Sequence, residues 1–232
     1  MCIPNNIIPI HWFGDRDAYE NSKVKVITVC YNPSNMEFRE NIRDPFSTEL
    51  RFPHYQEGMQ ETMELAWNAY FEYNPYKKWF GAFENILNGM GASYYCDKKY
   101  PYRALHVDIC SPWATVPTWS ALPKTQQKEL YVRDSPQQLV LISELKPQII
   151  VASIKDEYID KLGIANSKTE FKKFDFKKDD TKRKTPEVVY QYQYNGVPFI
   201  NGIPCQTPFG RLSKKFQYDV GEEIRNRLLQ SR

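Results

Sequence analysis

Val24-Lys25-Val26-Ile27-Thr28-Val29-Cys30, followed at once by Tyr31-Asn32-Pro33-Ser34-Asn35, is the stretch from which the fold is read. The first half is dominated by β-branched residues, which suit a pleated, half-buried backbone. The second half breaks it, because Asn before Pro favours a turn. The expectation is a strand over residues 24–30 that stops at a polar loop. In open α/β sheets, ligands bind in the crevice beyond the carboxyl ends of the strands. The loop is therefore a site candidate by position alone.

Working outward, residues 1–23 form a lead-in, with Trp12 and Phe13 expected to pack on the body. Residues 31–57 read as a long loop containing Pro45 and Pro53, and long loops in compact domains usually carry function or cover something. Apolar spacing predicts helices over 58–73 and 76–90, the first ended by Asn74-Pro75 and the second by Gly89 and Gly91. A second strand is expected over 103–110, ending at Ser111-Pro112-Trp113, and then a connector over 114–134 with a short helix at 124–131. A helix over 135–145 has Ser135 as its cap and Pro136 in its first turn. Residues 149–153 read as a third strand and 154–162 as a short helix. Residues 165–187 form a polar, lysine-rich insertion. Residues 188–194 alternate at period two and meet Asn195-Gly196, a hairpin turn signal; 197–203 is then the fourth strand. Another loop, 206–212, precedes a C-terminal helix over 213–230 capped by Ser213.

This alternation of strands and helices predicts an α/β fold, a three-layer sandwich with helices on both faces of a mainly parallel sheet. No repeats or domain boundary interrupt it, so residues 1–232 are expected to form one domain. The net charge of +3 permits a polyanionic partner without demanding one. The cysteines (Cys2, Cys30, Cys96, Cys110, Cys205) include no close pair, which predicts reduced, buried thiols and no metal site. No apolar run approaches the roughly 20 residues needed to cross a bilayer, and the first residues lack the pattern of a signal peptide. A cytoplasmic location is expected.

Three features give the chain a resemblance to the uracil-DNA glycosylase superfamily, its single-strand-selective and archaeal-type branches in particular. The strand leading into Tyr31-Asn32-Pro33-Ser34 resembles that family's first motif. Pro45-Phe46 lies downstream where the family has a base-stacking Phe. The block from Ile86-Leu87-Asn88-Gly89 to Leu105-His106-Val107-Asp108-Ile109-Cys110-Ser111-Pro112 is similar to the segment that offers the family's base-reading Asn. The resemblance implies a four-stranded sheet of order 2-1-3-4 with an added β-hairpin. It also implies a monofunctional base glycosylase acting on single- or double-stranded DNA without metal or other cofactor; a monomer is expected. Two departures stand out. Cys205-Gln206-Thr207-Pro208 occupies the place of a family loop that normally carries His, and Asp108 stands near the base-reading position.

Base excision needs an extruded base, a pocket to read it and charge stabilisation. On this reading Asn32 holds the attacking water through its amide oxygen; otherwise it is an ordinary turn residue before proline. Phe46 stacks on the base, or is a core ring under a loop. Tyr31, His106 and Asp108 line the base site, with Asp108 able to accept from an exocyclic amine; otherwise His106 and Asp108 are satisfied core residues. Gln206 and Thr207 support the leaving group. Ser34, Phe209, Arg211 and Leu212 contact DNA, the last three as a wedge with Arg211 on phosphate; otherwise they form the mouth of a loop. Lysines in 165–187 track phosphate, or simply solvate the insertion. A non-catalytic nucleic-acid-binding protein of the same fold is the alternative, motivated by the missing His. A nucleotide-processing enzyme of another family is a more distant one, since no glycine-rich phosphate loop occurs.

Overall fold

The run from Lys25 to Cys30 is an interior strand, third across a seven-stranded mixed sheet. The computed structural model describes residues 8–38, 51–56, 59–96, 99–175 and 186–229. In chain order the strands are β1 (Lys25–Cys30), β2 (Ala92–Ser93), β3 (Tyr102–Asp108), β4 (Ile149–Ala152), β5 (Thr169–Phe174), β6 (Glu187–Tyr194) and β7 (Val197–Asn201). Across the sheet they lie in the order β2-β3-β1-β4-β7-β6-β5. β3, β1, β4 and β7 run parallel to one another. β6 is antiparallel to both of its neighbours.

The helices are α1 (Arg16–Glu20), α2 (Gln60–Asn68), α3 (Lys77–Met90), α4 (Lys124–Leu145), α5 (Asp156–Lys161) and α6 (Lys214–Ile224). The connections β1→β3 and β3→β4 cross the sheet in opposite senses. Right-handed crossovers therefore put α3 and α4 on opposite faces. The side chains agree. Phe80 and Phe83 of α3 meet the ring of His106, while Gln138 of α4 donates to the Asp108 carbonyl from behind. Covered on both sides, β4 is buried throughout, as a parallel central strand must be.

Several expectations need correction. The sheet has seven strands and is mixed, where four mainly parallel strands plus a hairpin were expected. One addition, β2, is two residues long, too short to show a period. The other, β5, takes residues from the lysine-rich insertion: Phe171 and Phe174 are buried against the body, Lys172 between them donates to the Asp219 carbonyl of α6, and Lys173 is exposed. The NG hairpin forms between β6 and β7, with Asn195 and Gly196 both at positive φ (49° and 80°). α2 is shorter than 58–73; beyond Asn68 the chain turns, and Tyr70 and Phe71 enter the core. The short helix expected over 124–131 and the helix over 135–145 are one: α4 starts at Lys124 and runs through Ser135, so Pro136 lies inside it. Its first turn is tied down by Gln127, whose side chain donates to the carbonyls of Trp119 and Leu122. Tertiary anchoring of this kind overrides a local start signal.

α3 and α6 cross with their backbones almost touching. A Cβ on Gly221 would lie 1.9 Å from the Ile86 carbonyl oxygen, and one on Gly89 would lie 2.2 Å from that of Tyr218. These neighbours are backbone and cannot swing aside. Gly221→Ala is expected to destabilise the fold by about 1–3 kcal/mol. Gly81→Ala, on an open part of α3 with nothing within 4 Å, should instead stabilise by about 0.5–1 kcal/mol. Urea unfolding of both variants checks the crossing; equal, small effects would refute it.

Candidate functional site

A cleft of about 590 Å³ opens beyond the carboxyl ends of β1, β3, β4 and β7. That volume lies within the roughly 300–1,000 Å³ usual for small-molecule sites. Each parallel strand sends a loop or a last residue into it. β1 contributes Tyr31 to Ser34, β3 contributes His106 and Asp108, β4 leads to Ser153 and Lys155, and β7 leads to Pro204, Cys205 and Gln206. Phe13, Tyr76, Trp79, Phe80 and Trp119 make aromatic walls. The β4 loop was not among the three site loops read from the sequence. A strand ending in Ala-Ser-Ile carries no turn signal to mark it.

The register of the sheet builds the floor. Parallel pairing sets Thr28 beside His106 and Cys30 beside Asp108. His106 and Asp108 are two apart on β3 and share a face, and they are 1% and 2% exposed. His106 Nε2 lies 3.2 Å from Asp108 Oδ1, and Nδ1 lies 2.8 Å from Thr28 Oγ1, which in turn contacts the Tyr94 hydroxyl. A carboxylate can only accept, so Nε2 carries the proton and donates to Asp108. With the ring neutral, Nδ1 accepts from Thr28, and Thr28 accepts from Tyr94. Burial pushes the Tyr94 phenol well above its ordinary range, which keeps it a donor. Phe13 seals the far edge of β3, exchanging both backbone hydrogen bonds with His106.

Asn32 stands at the rim of this floor. Its Nδ2 donates to the Trp113 carbonyl at 3.0 Å and lies 3.2 Å from Thr115 Oγ1. A carbonyl only accepts, so the amide orientation is fixed. Both amide protons are used, leaving Oδ1 as an acceptor on a residue that lines the cleft. The loop is braced by the Ser34–Thr115 bridge and by the Tyr31 carbonyl, which accepts from Cys110 N–H. The Tyr31 hydroxyl accepts from Lys155 N–H at 2.8 Å, tying the β1 and β4 loops together.

The other expected site residues fare unevenly. Gln206 is exposed and lines the cleft; Thr207 does not line it, and its carbonyl accepts from Gly210 N–H in a turn. Phe46 lies outside the described residues. The wedge is corrected: Phe209 and Leu212 are core residues, 1% and 7% exposed. Phe209 adopts φ 50° and its ring sits directly on Gly202, where a Cβ would come within 2.2 Å. Arg211 is exposed, is salt-bridged to Glu187 at 3.0 Å and does not line the cleft. Cys205, expected to be buried, is exposed at the cleft; Cys96 is also exposed, while Cys30 and Cys110 are buried. Burial pushes both buried thiols well above their ordinary range, against a thiolate role. Among the described residues no group of three or more His, Cys, Asp or Glu could hold a metal ion.

The residue missed from the sequence is Glu37. It sits in a 3₁₀ turn (Asn35–Phe38) directly after the Asn-Pro-Ser loop, is 2% exposed and lines the cleft. Its Oε2 accepts from the Tyr70 hydroxyl. Burial pushes its carboxyl up from the ordinary 4.5 to about 7; the Tyr70 hydrogen bond and Arg51 oppose the rise, and Asp108 adds to it. Its only signal in the sequence was a carboxylate close behind a strand end.

A carboxyl with a raised folded value binds its proton more tightly folded than unfolded. Its contribution to stability is complete below 4.5 and is lost as pH rises to about 7. Each unit is worth about 1.4 kcal/mol. In urea unfolding between pH 4 and pH 8, the stability of Glu37→Gln relative to wild type should therefore rise by about 3 kcal/mol. A flat difference across that range would show that Glu37 is not desolvated as described.

No family model matches the chain, and no curated protein matches it, so the chemistry of the cleft has to be read from its own side chains.

Proposed function

We propose that the protein is a base-excising hydrolase, which takes a nucleobase extruded from DNA into this cleft and hydrolyses its N-glycosidic bond. One observation carries the reading. Asn32, whose oriented amide leaves Oδ1 to accept, and the buried Asp108 line a single aromatic-walled cleft at the strand ends. Cleavage of an N-glycosidic bond builds positive charge on the sugar and negative charge on the base. Asn32 Oδ1 holds water against the sugar cation. The aromatic walls give the base a stacking surface, worth about 1–3 kcal/mol per base–aromatic contact. Asp108, oriented by His106, accepts from an amino or imino edge of the base. Gln206 at the rim is a donor for a base oxygen. Lys155 also lines the cleft, and among the described residues no acid pairs with it, so it suits a flanking phosphate. The strand–Asn-Pro–Ser loop and the β3-β1-β4-β7 order of the parallel strands support the uracil-DNA glycosylase resemblance.

A second reading, a nucleic-acid-binding protein without turnover, is favoured by one observation: the loop from Pro204 to Pro208 has no His.

Excision from single- and double-stranded oligonucleotides carrying uracil, hypoxanthine, a mismatched thymine or a modified cytosine separates the two. Asn32→Ala should lower the single-turnover rate by about 10²–10³-fold, the scale of losing one preorganised polar group, while DNA binding persists. Binding without excision of any of these bases, unchanged by Asn32→Ala, would establish the second reading in its place.

A further inference from the structure

We propose that Glu37 is the general acid of the cleft, delivering a proton to the departing base, and that the substrates are bases that leave poorly as anions. The inference rests on the hydrolase reading and adds to it the proton source and the class of leaving group.

The geometry fixes which oxygen carries the proton. Tyr76 N–H donates to the Tyr70 hydroxyl oxygen at 2.9 Å, so the phenol hydrogen is directed at Glu37 Oε2. Oε1 has no hydrogen-bond partner among the described residues, on a side chain that is 2% exposed and lines the cleft. A carboxyl proton therefore sits on Oε1. Arg51 does not take the carboxylate as a close partner. Its Nε lies 3.8 Å from Oε2 and donates to the Met36 carbonyl at 3.2 Å, and its Nη1 donates to the Asn74 carbonyl. The described groups that face Glu37 are then Tyr70 after α2, Arg51 and, from β3, Asp108 with His106 behind it. Burial and Asp108 favour the protonated form, Tyr70 and Arg51 the ionised form, and the balance falls near neutrality, where proton transfer is most effective.

Three other polar groups of the cleft do not suit this task. The Asn32 and Gln206 amides orient but do not exchange protons. His106 has both ring nitrogens engaged, with Thr28 and Asp108. In the step, the C–N bond breaks and its electron pair leaves with the base, which takes the proton from Glu37. Water held by Asn32 forms the new C–O bond at the sugar carbon and releases one proton, which returns to the Glu37 carboxylate. The net change is one water consumed and one neutral base released. Such an acid matters little for a base that is already stable as an anion, and a great deal for an amino-bearing pyrimidine or a purine.

The test uses the full chain and DNA bearing bases graded in leaving ability, from 5-fluorouracil through uracil to hypoxanthine and 5-methylcytosine. Wild-type single-turnover rates on the poorer leaving groups should fall as pH rises past about 7. Glu37→Gln, which keeps an acceptor for Tyr70, should lose about 10²–10⁴-fold on those bases and less than about tenfold on 5-fluorouracil, with DNA affinity retained. Tyr70→Phe leaves the acid in place and should move the falling limb to higher pH. Equal losses on every base, full rates in Glu37→Gln, or a limb that persists in it would overturn the assignment while leaving the hydrolase reading intact. A wild-type protein that excises none of these bases would overturn the hydrolase reading and this assignment with it.

Discussion

The cleft depends on a chain of four buried polar side chains that satisfy one another: Tyr94, Thr28, His106 and Asp108. A polar group taken out of water without a partner costs several kcal/mol, and a carboxylate more. Removing any link would leave its neighbours unpaired inside a core of Phe13, Phe80 and Phe83. The chain can form only if β1 and β3 are parallel neighbours in the register that sets Thr28 against His106. A one-residue slip would turn His106 and Asp108 to the opposite face, toward α4. The register of two strands and the floor of the site are thus one constraint.

Two carboxyl groups open onto this cleft and differ in how they are held. Asp108 is given an imidazole N–H by the same strand. Glu37 is given a phenol on one oxygen and a cation too distant for a close pair. Environments that separate two neighbouring carboxyls in this way divide acceptor from donor roles. The division is set by elements far apart in sequence, since Tyr70 follows α2 while His106 belongs to β3.

Much of this was legible in the chain, and the limits have physical causes. The strand at 24–30 and its Asn-Pro stop announced an interior strand and the first site loop, because β-branched runs and proline act locally. The Asn195-Gly196 turn was equally plain, for it needs positive φ at both positions. His106 and Asp108 on one face followed from period two alone. Glu37 was not legible. Its importance comes from Tyr70, Arg51 and Asp108, and no local pattern records their approach. Phe209 and Leu212 looked like an exposed wedge because they flank Arg211 in a loop. A loop residue with φ 50° can turn its ring inward, and sequence spacing does not encode that. Pro136 misled in the same way: a strong start signal lost to side-chain anchoring a full three turns earlier.

The α3–α6 crossing shows how the hydrophobic body reaches the chemistry. Trp79 and Phe80 form part of the cleft wall and belong to the first turns of α3, whose far end is held against α6 at Gly89 and Gly221. α3 is rigid over its length, so the contact at one end limits where its other end can stand over the sheet. His106 is packed edge-on by both rings at 5.2–5.3 Å. A wider separation of the two helices would tilt these rings away from His106 and admit water to the buried polar chain. Water would compete for Nδ1 and for Asp108, and would screen the charge that Asp108 exerts on Glu37. The absence of two side-chain carbons, at 89 and 221, is in this sense a condition for the ring packing over His106.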